Sequence, residues 1–344
     1  MKYIDFRSDT VTQPTKAMRL AMMNAEVGDN VLGEDPTVIE LEEYSAELFN
    51  KEAALFVLSG TMANQIAVMT LTNRGDEIIL SKNSHMYNLE VAALATLSQV
   101  QAHPIGTNKG KFNLNELESA IRKKGIQNPK TSLIALENTY DLNRGLVLDK
   151  LYLDSIKEVG VRHNLPVYLD GARVFNAATA LNIELSKLTE SIDALQFCLT
   201  KGLAAPIGSI LVGSKSFIEK AKWIRQRIGG GMRQAGHIAA AGLVAIKDMR
   251  KRLTIDHENA IFLTNKLREI NPKLVDLNQV QSNIIKVHLN EFSFNALEFS
   301  TRLLEKSIKV KVIGENECRM ITHKDINRDQ IEFTAKTIKE ILDK

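Results

Sequence analysis

Lys201 follows an apolar run, Ala194 to Leu199, and stands in the segment Cys198-Leu199-Thr200-Lys201-Gly202. A lysine at the end of a buried strand is partly desolvated, which favours the free amine that imine chemistry requires. Asp170 closes a second apolar run, Val167 to Leu169, and opens Asp170-Gly171-Ala172-Arg173. A carboxylate in that place can keep a ring nitrogen protonated, or it can cap the following turn. Arg173 can grip a carboxylate bidentately or pair with Asp170. Ser59-Gly60-Thr61 lies between the run Leu55 to Val57 and a helical stretch from Met62 to Leu71. Free N–H groups at a helix start bind phosphate, and a serine there is equally an ordinary N-cap. His85, in a polar segment after Glu77 to Leu80, can stack flat on a ring or hydrogen-bond at the surface.

Each feature alone is ambiguous, but together they cover the needs of one cofactor. Pyridoxal phosphate requires a lysine amine for a Schiff base, an anion site, a carboxylate at the pyridine nitrogen and a flat group on the ring. Lys201, Ser59 with Gly60 and Thr61, Asp170 and His85 are the respective candidates. Gly229-Gly230-Gly231 precedes Met232-Arg233-Gln234. Three consecutive glycines mean unusual dihedrals or close approach. The apolar helical residues that follow at once fit a shaped turn better than a loose tether.

The elements that must position these groups are short apolar strands separated by helical segments. That pattern predicts an α/β fold with a mainly parallel sheet covered on both faces. Ligands in such sheets sit at the carboxyl ends of strands. Glu137, Asp170 and Lys201 each lie at or just beyond such an end, so all three are expected on one rim. From about Arg250 the texture changes to a charged helix, a strand near Asn283 to Val287, a helix, a strand near Cys318 to Thr322 and a last helix. The expected organisation is an N-terminal arm over 1–30, irregular and outside the sheet, a large domain over 31–249 and a smaller α+β domain over 250–344.

Composition narrows the classes. The 344 residues are 44% hydrophobic and 25% charged with a net charge of +3, which is ordinary globular usage without the basic footprint of a nucleic-acid binder. Two distant cysteines, Cys198 and Cys318, form neither a disulfide framework nor a zinc pattern, and no metal is expected. There is no stretch of membrane-spanning length and no apolar leader in MKYIDFRSDT. The expected compartment is the cytoplasm.

The stretches DFRSDTVTQPT, GDNVLGEDPTV, SGTMANQ, LENT, DGARVFNAA, FCLTKGLAAPIGS, GGGMRQAG and CRMITHKDI resemble the low-specificity L-threonine aldolases. These belong to the β-eliminating lyase group of fold-type I pyridoxal phosphate enzymes. The resemblance runs from the first residues into the C-terminal domain in the expected order. It implies the fold-type I, transferase-like large domain and the following roles. Lys201 is the Schiff-base lysine, His85 the ring-stacking histidine and Asp170 the acid at the pyridine nitrogen. Arg173 contacts cofactor or substrate carboxylate, and Gly60 and Thr61 cradle the phosphate. Ser8 and Arg319 receive the substrate carboxylate. Arg233 lies near the phosphate, partly in a neighbouring subunit's site. It further implies homotetramers built from dimers, with active sites at the dimer interface.

Two departures concern the substrate hydroxyl. Many family members carry a histidine in the loop before LENT, where this chain has Gln127. They read LENTH where this chain reads LENT followed by Tyr140. Glutamine is not a general base, though it can hydrogen-bond a hydroxyl. The base is therefore left among a water, His85 and Tyr140, with Gln127 and Tyr140 as substrate contacts. The expected reaction is retro-aldol cleavage of an L-threonine or L-allo-threonine type β-hydroxy-α-amino acid to glycine and an aldehyde. The alternatives are β-elimination or racemisation on the same scaffold, or a weakly catalytic homologue that keeps the cofactor pocket, since fold does not choose among chemistries.

Overall fold

The structure, a computed structural model, describes residues 3–141 and 143–343. Its strands in chain order are β1 (Ile4–Asp5), β2 (Ala53–Val57), β3 (Glu77–Ser81), β4 (Gln101–Ile105), β5 (Thr131–Glu137), β6 (Val167–Asp170), β7 (Ala194–Cys198) and β8 (Ser209–Gly213). They continue with β9 (Ile284–His288), β10 (Ile308–Lys309), β11 (Lys311–Gly314) and β12 (Glu317–Ile321). Seven of them form the large sheet in the order β2-β8-β7-β6-β5-β3-β4. All its neighbour pairs are parallel except those of β8, which runs antiparallel to both β2 and β7. A three-stranded antiparallel sheet, β11-β12-β9, carries the C-terminal part.

The central strands are buried along their whole length; β5, β6, β7 and β8 contain no exposed residue. Helices on both faces remove each strand from water, and the sequence answers with continuous apolar runs in place of alternation. β4 escaped the sequence reading for a physical reason. Its sequence, Gln-Ala-His-Pro-Ile, is polar and contains Pro104, which a sheet tolerates only at an edge, and β4 is the edge.

Alternation within β7 shows how the sheet aims its residues. Leu195, Phe197 and Leu199 enter one core with Phe49 and Phe175. Phe197 stacks on Phe49 at 5.0 Å and meets Phe175 edge-on at 5.2 Å. Fully burying each such ring stabilises by about 1.5–3 kcal/mol, so the strand that delivers Lys201 is firmly anchored. Tyr168 of β6, Leu133 and Ala135 of β5 and Ala194 of β7 pack on the opposite face, with the helix Gly60–Leu71.

The arm is more structured than expected. β1 pairs in parallel with β10, and Phe6 is buried in the core of the C-terminal sheet. The helix α1 (Lys16–Met23) packs against the helix Gly236–Lys247. Asp35 caps α2 (Pro36–Leu48), accepting from Val38 N–H at 3.0 Å with Pro36 opening the helix, a favourable first position for proline.

Candidate active site

Three register-matched residues make the floor of a cavity at the carboxyl edge of the large sheet. Glu137 of β5 stands beside Asp170 of β6, which stands beside Gln196 of β7. All three are buried. Helix α3 (Gly60–Leu71) points its N-terminus at the same cavity, and the chain beyond β7 brings in Thr200 and Lys201. The cavity encloses about 180 Å³. Of the residues singled out by sequence, Ser59, Gly60, Thr61, His85, Asp170, Arg173 and Lys201 line it.

Asp170 is held by three donors. Asn64 Nδ2 donates to Oδ2 at 2.8 Å, and Gln196 Nε2 and Ala172 N–H donate to Oδ1 at 2.6 and 3.2 Å. Asn64 also donates to Glu90 Oε1 at 2.7 Å, and Gln65 donates to Glu90 Oε2 at 2.7 Å. Glu90 in turn holds His85 Nδ1 at 3.0 Å. His85 opens α4 (His85–Asn88) and does not sit in a loop; its backbone N–H donates to Glu137 Oε2 at 2.7 Å. One network thus fixes the imidazole and the Asp170 carboxylate relative to each other. Asn64, Glu90 and Gln196 were not anticipated. Their signal was spacing: Asn64 lies one turn into the helix behind Ser59-Gly60-Thr61, and Gln196 alternates with the apolar residues of β7.

Gly60 is required by space. A Cβ there would lie 2.9 Å from Cys198 Sγ and 3.5 Å from Gln196 Nε2. Ser59 caps the helix through Met62 N–H at 3.2 Å, so the capping role is real. It coexists with a helix start open to the cavity, where N–H groups and the helix dipole favour an anion.

Arg173 pairs with Asp9 of the arm, and not with Asp170. Nε and Nη2 donate to the two Asp9 oxygens at 2.8 and 2.6 Å, and both residues are buried. Burial pushes the Asp9 carboxyl upward, but the Arg173 charge and hydrogen bonds pull it below the ordinary carboxylate range. Thr12 Oγ1 ties the same turn together, donating to Asp9 O at 2.8 Å and reaching Lys201 O at 3.3 Å. Ser8 caps this turn through Thr10 N–H at 3.2 Å. Arg319 of β12 is buried and donates to Arg7 O at 2.7 Å. Burial, and then repulsion from Arg173, lower Arg319 to about 10. Ser8, Arg173 and Arg319 therefore gather around Asp9 although they come from the arm, the large sheet and the C-terminal sheet.

Ser8 and Arg319 sit at Asp9 without lining the cavity, and three further expected contacts, Tyr140, Gln127 and Arg233, lie elsewhere. Tyr140 is fully buried, with its hydroxyl bonded to Ser81 at 2.5 Å and Thr107 at 2.9 Å and its ring against Gly110. The chain turns after Glu137, so Thr139 faces the cavity in its place. Gln127 is exposed in the loop that feeds the start of β5, the edge of the sheet opposite the cavity. Arg233 is exposed and paired with Asp29 Oδ2 at 2.8 Å.

An amine beyond β7, a carboxylate fixed by three donors, an imidazole and a glycine-opened helix start in one cavity form the donor set that pyridoxal phosphate needs. Fold and site together define the class as a fold-type I pyridoxal phosphate enzyme. The beta-eliminating lyase family model matches residues 5–290. Low-specificity L-threonine aldolase 1 of Arabidopsis thaliana is 40% identical over 99% of this chain and 97% of its own. The low specificity L-threonine aldolase of Escherichia coli K12 is 40% identical over 96% and 97%. Among solved structures, the Leishmania major threonine aldolase superposes with a TM-score of 0.85 at 17% identity, covering 98% of this chain and 99% of that one. A putative L-allo-threonine aldolase of Listeria monocytogenes gives 0.82 at 19%, covering 98% and 96%. The chain belongs to the beta-eliminating lyase family and, within it, to the low-specificity L-threonine aldolases.

Proposed function

We propose that the protein cleaves L-threonine or L-allo-threonine type β-hydroxy-α-amino acids to glycine and an aldehyde, with pyridoxal phosphate as cofactor. The observation that carries this is the cavity shared by Lys201, Asp170, His85 and the N-terminus of α3, with the Arg173–Asp9 pair beside it. Bound pyridoxal phosphate supplies an electron sink for the pair released at Cα. Lys201 would hold the cofactor aldehyde, α3 with Ser59, Gly60 and Thr61 its phosphate, Asp170 its ring nitrogen, and His85 its ring face. Ser8, Arg173 and Arg319 would receive the substrate carboxylate. Arg173 spends one edge on Asp9, which leaves its other nitrogen for a ligand. Fixing the carboxylate orients the Cα–Cβ bond, and orientation of this kind accounts for much of an enzyme's rate gain.

We assign the arm to 1–30, the large domain to 31–249 and the small domain to 250–344. Supporting this, the C-terminal sheet has a core of its own, although Phe6 of the arm belongs to that core. We assign the active form to a homotetramer in the cytoplasm. Support for the oligomer comes from Arg233 and Gln127, which are exposed and do not line their own chain's cavity, and from exposed Leu32 and Trp223 along one groove. No helix among the described residues is long and apolar enough to cross a membrane.

A panel of L-threonine, L-allo-threonine and phenylserine, scored for aldehyde release, tests the reaction. Acetaldehyde plus glycine from threonine supports it. A keto acid plus ammonia would establish elimination, and loss of optical rotation alone would establish racemisation.

A further inference from the structure

We infer that Glu137 transfers the proton in the cleavage step, taking it from the substrate's β-hydroxyl. The inference rests on the reading of the site as a retro-aldol centre. That reaction needs a group that can accept a proton; neither Gln127 nor Tyr140 reaches the cavity, and His85, its Nδ1 held by Glu90 at 3.0 Å, is assigned to the ring face.

The hydrogen bonds sort the carboxylates that remain. Asp170 accepts from three donors and Glu90 from three, Asn64, Gln65 and His85. Acceptor oxygens occupied in this way have few lone pairs left for a substrate hydroxyl. Glu137 is different. Among the described residues it receives one hydrogen bond, from His85 N–H to Oε2, and it lines the cavity with Lys201.

Its surroundings suit the task. Burial, and then the neighbouring Asp170 charge, raise it to about 8; Asp141 adds to the rise, while the His85 N–H and Lys201 oppose it. A general base is most effective when its pKa lies near the working pH.

The step balances without an outside reagent. The ionised carboxyl takes the hydroxyl proton, and the O–H electron pair becomes the second carbon–oxygen bond of the aldehyde. The Cα–Cβ bond breaks with its pair left on Cα, and the proton held by Glu137 is then delivered to Cα, giving glycine and restoring the carboxylate.

The test uses the holoenzyme and the variants E137Q and E137D. Wild-type kcat/KM for L-threonine is expected to rise with pH through about 8. E137Q should keep the cofactor absorbance and bind glycine by calorimetry, but lose kcat by roughly 10²–10⁴-fold together with that rising limb. E137D should retain a limb at a lower rate. Infrared difference spectroscopy supplies a readout independent of turnover. Wild type should show a carboxylic acid C=O band at neutral pH that disappears near pH 8 and is missing from E137Q. An active wild type with an equally active E137Q showing the same limb overturns this inference alone, as does a Glu137 already ionised at neutral pH. A wild type that releases no aldehyde from any substrate overturns the aldolase reading and this inference with it.

Discussion

Asp9 and Arg173 show how much one buried pair decides. Removing one partner leaves an uncompensated charge away from water, so D9A should lower stability by about 3–5 kcal/mol, read by urea unfolding. The sign with pH follows from the direction of the shift. Arg173 holds the folded Asp9 below its ordinary value of 3.8, so the pair's contribution is complete above that value. It is lost as pH falls through the lower folded value, and wild type and D9A should converge in strong acid. Glu137 behaves in the opposite sense. The folded state keeps its proton to about 8, while the unfolded chain gives it up near 4.5. The contribution of Glu137 to stability therefore declines as pH rises between those two values. E137Q should melt above wild type at pH 8, and the advantage should vanish below the ordinary value; calorimetric scans across pH read this difference.

At the scale of elements, the site depends on strand ends and one helix start that glycines keep open. G60V puts methyl groups where even a Cβ meets Cys198 Sγ at 2.9 Å. It should weaken cofactor affinity by roughly tenfold or more, the equivalent of about 1.4 kcal/mol, in an absorbance titration, while α3 still forms. Gly208 ends the turn between β7 and β8 at φ 111°, and a Cβ there would strike the Phe56 ring. G208A should cost on the order of 1–3 kcal/mol of stability, measured by chemical denaturation. It should also disturb Lys201, because Leu199 N–H bonds Gly208 O at 3.0 Å.

At the scale of the whole molecule, the arm, the large sheet and the C-terminal sheet meet at Asp9, Arg173 and Arg319, so the carboxylate site proposed here requires all three to be docked. The opposite question is what the exposed apolar residues do. Leu32, Ile39 and Trp223 line one surface groove, with Trp223 77% exposed. Isolated exposed apolar residues are common, but a grouped set is where the proposed oligomer would bury apolar surface. W223E should shift the sedimenting species to smaller size and lower activity in parallel, while far-UV circular dichroism stays unchanged.

The parallel sheet, the strand ends bearing Glu137, Asp170 and Lys201, and the helix start at Gly60 were legible from residue order alone. Each depends on local periodicity and on residues within a few positions, which the chain states directly. Three things were not. Tyr140 looked like a substrate contact until its hydroxyl was found between Ser81 and Thr107. Arg173 looked like a partner for nearby Asp170 until Asp9 arrived from 164 residues away. Glu137 stood at the right rim, but its raised pKa comes from burial and from Asp170 on the next strand. Local sequence records which groups a segment offers. Desolvation and pairing depend on what the rest of the chain packs against them, and only the tertiary structure decides that.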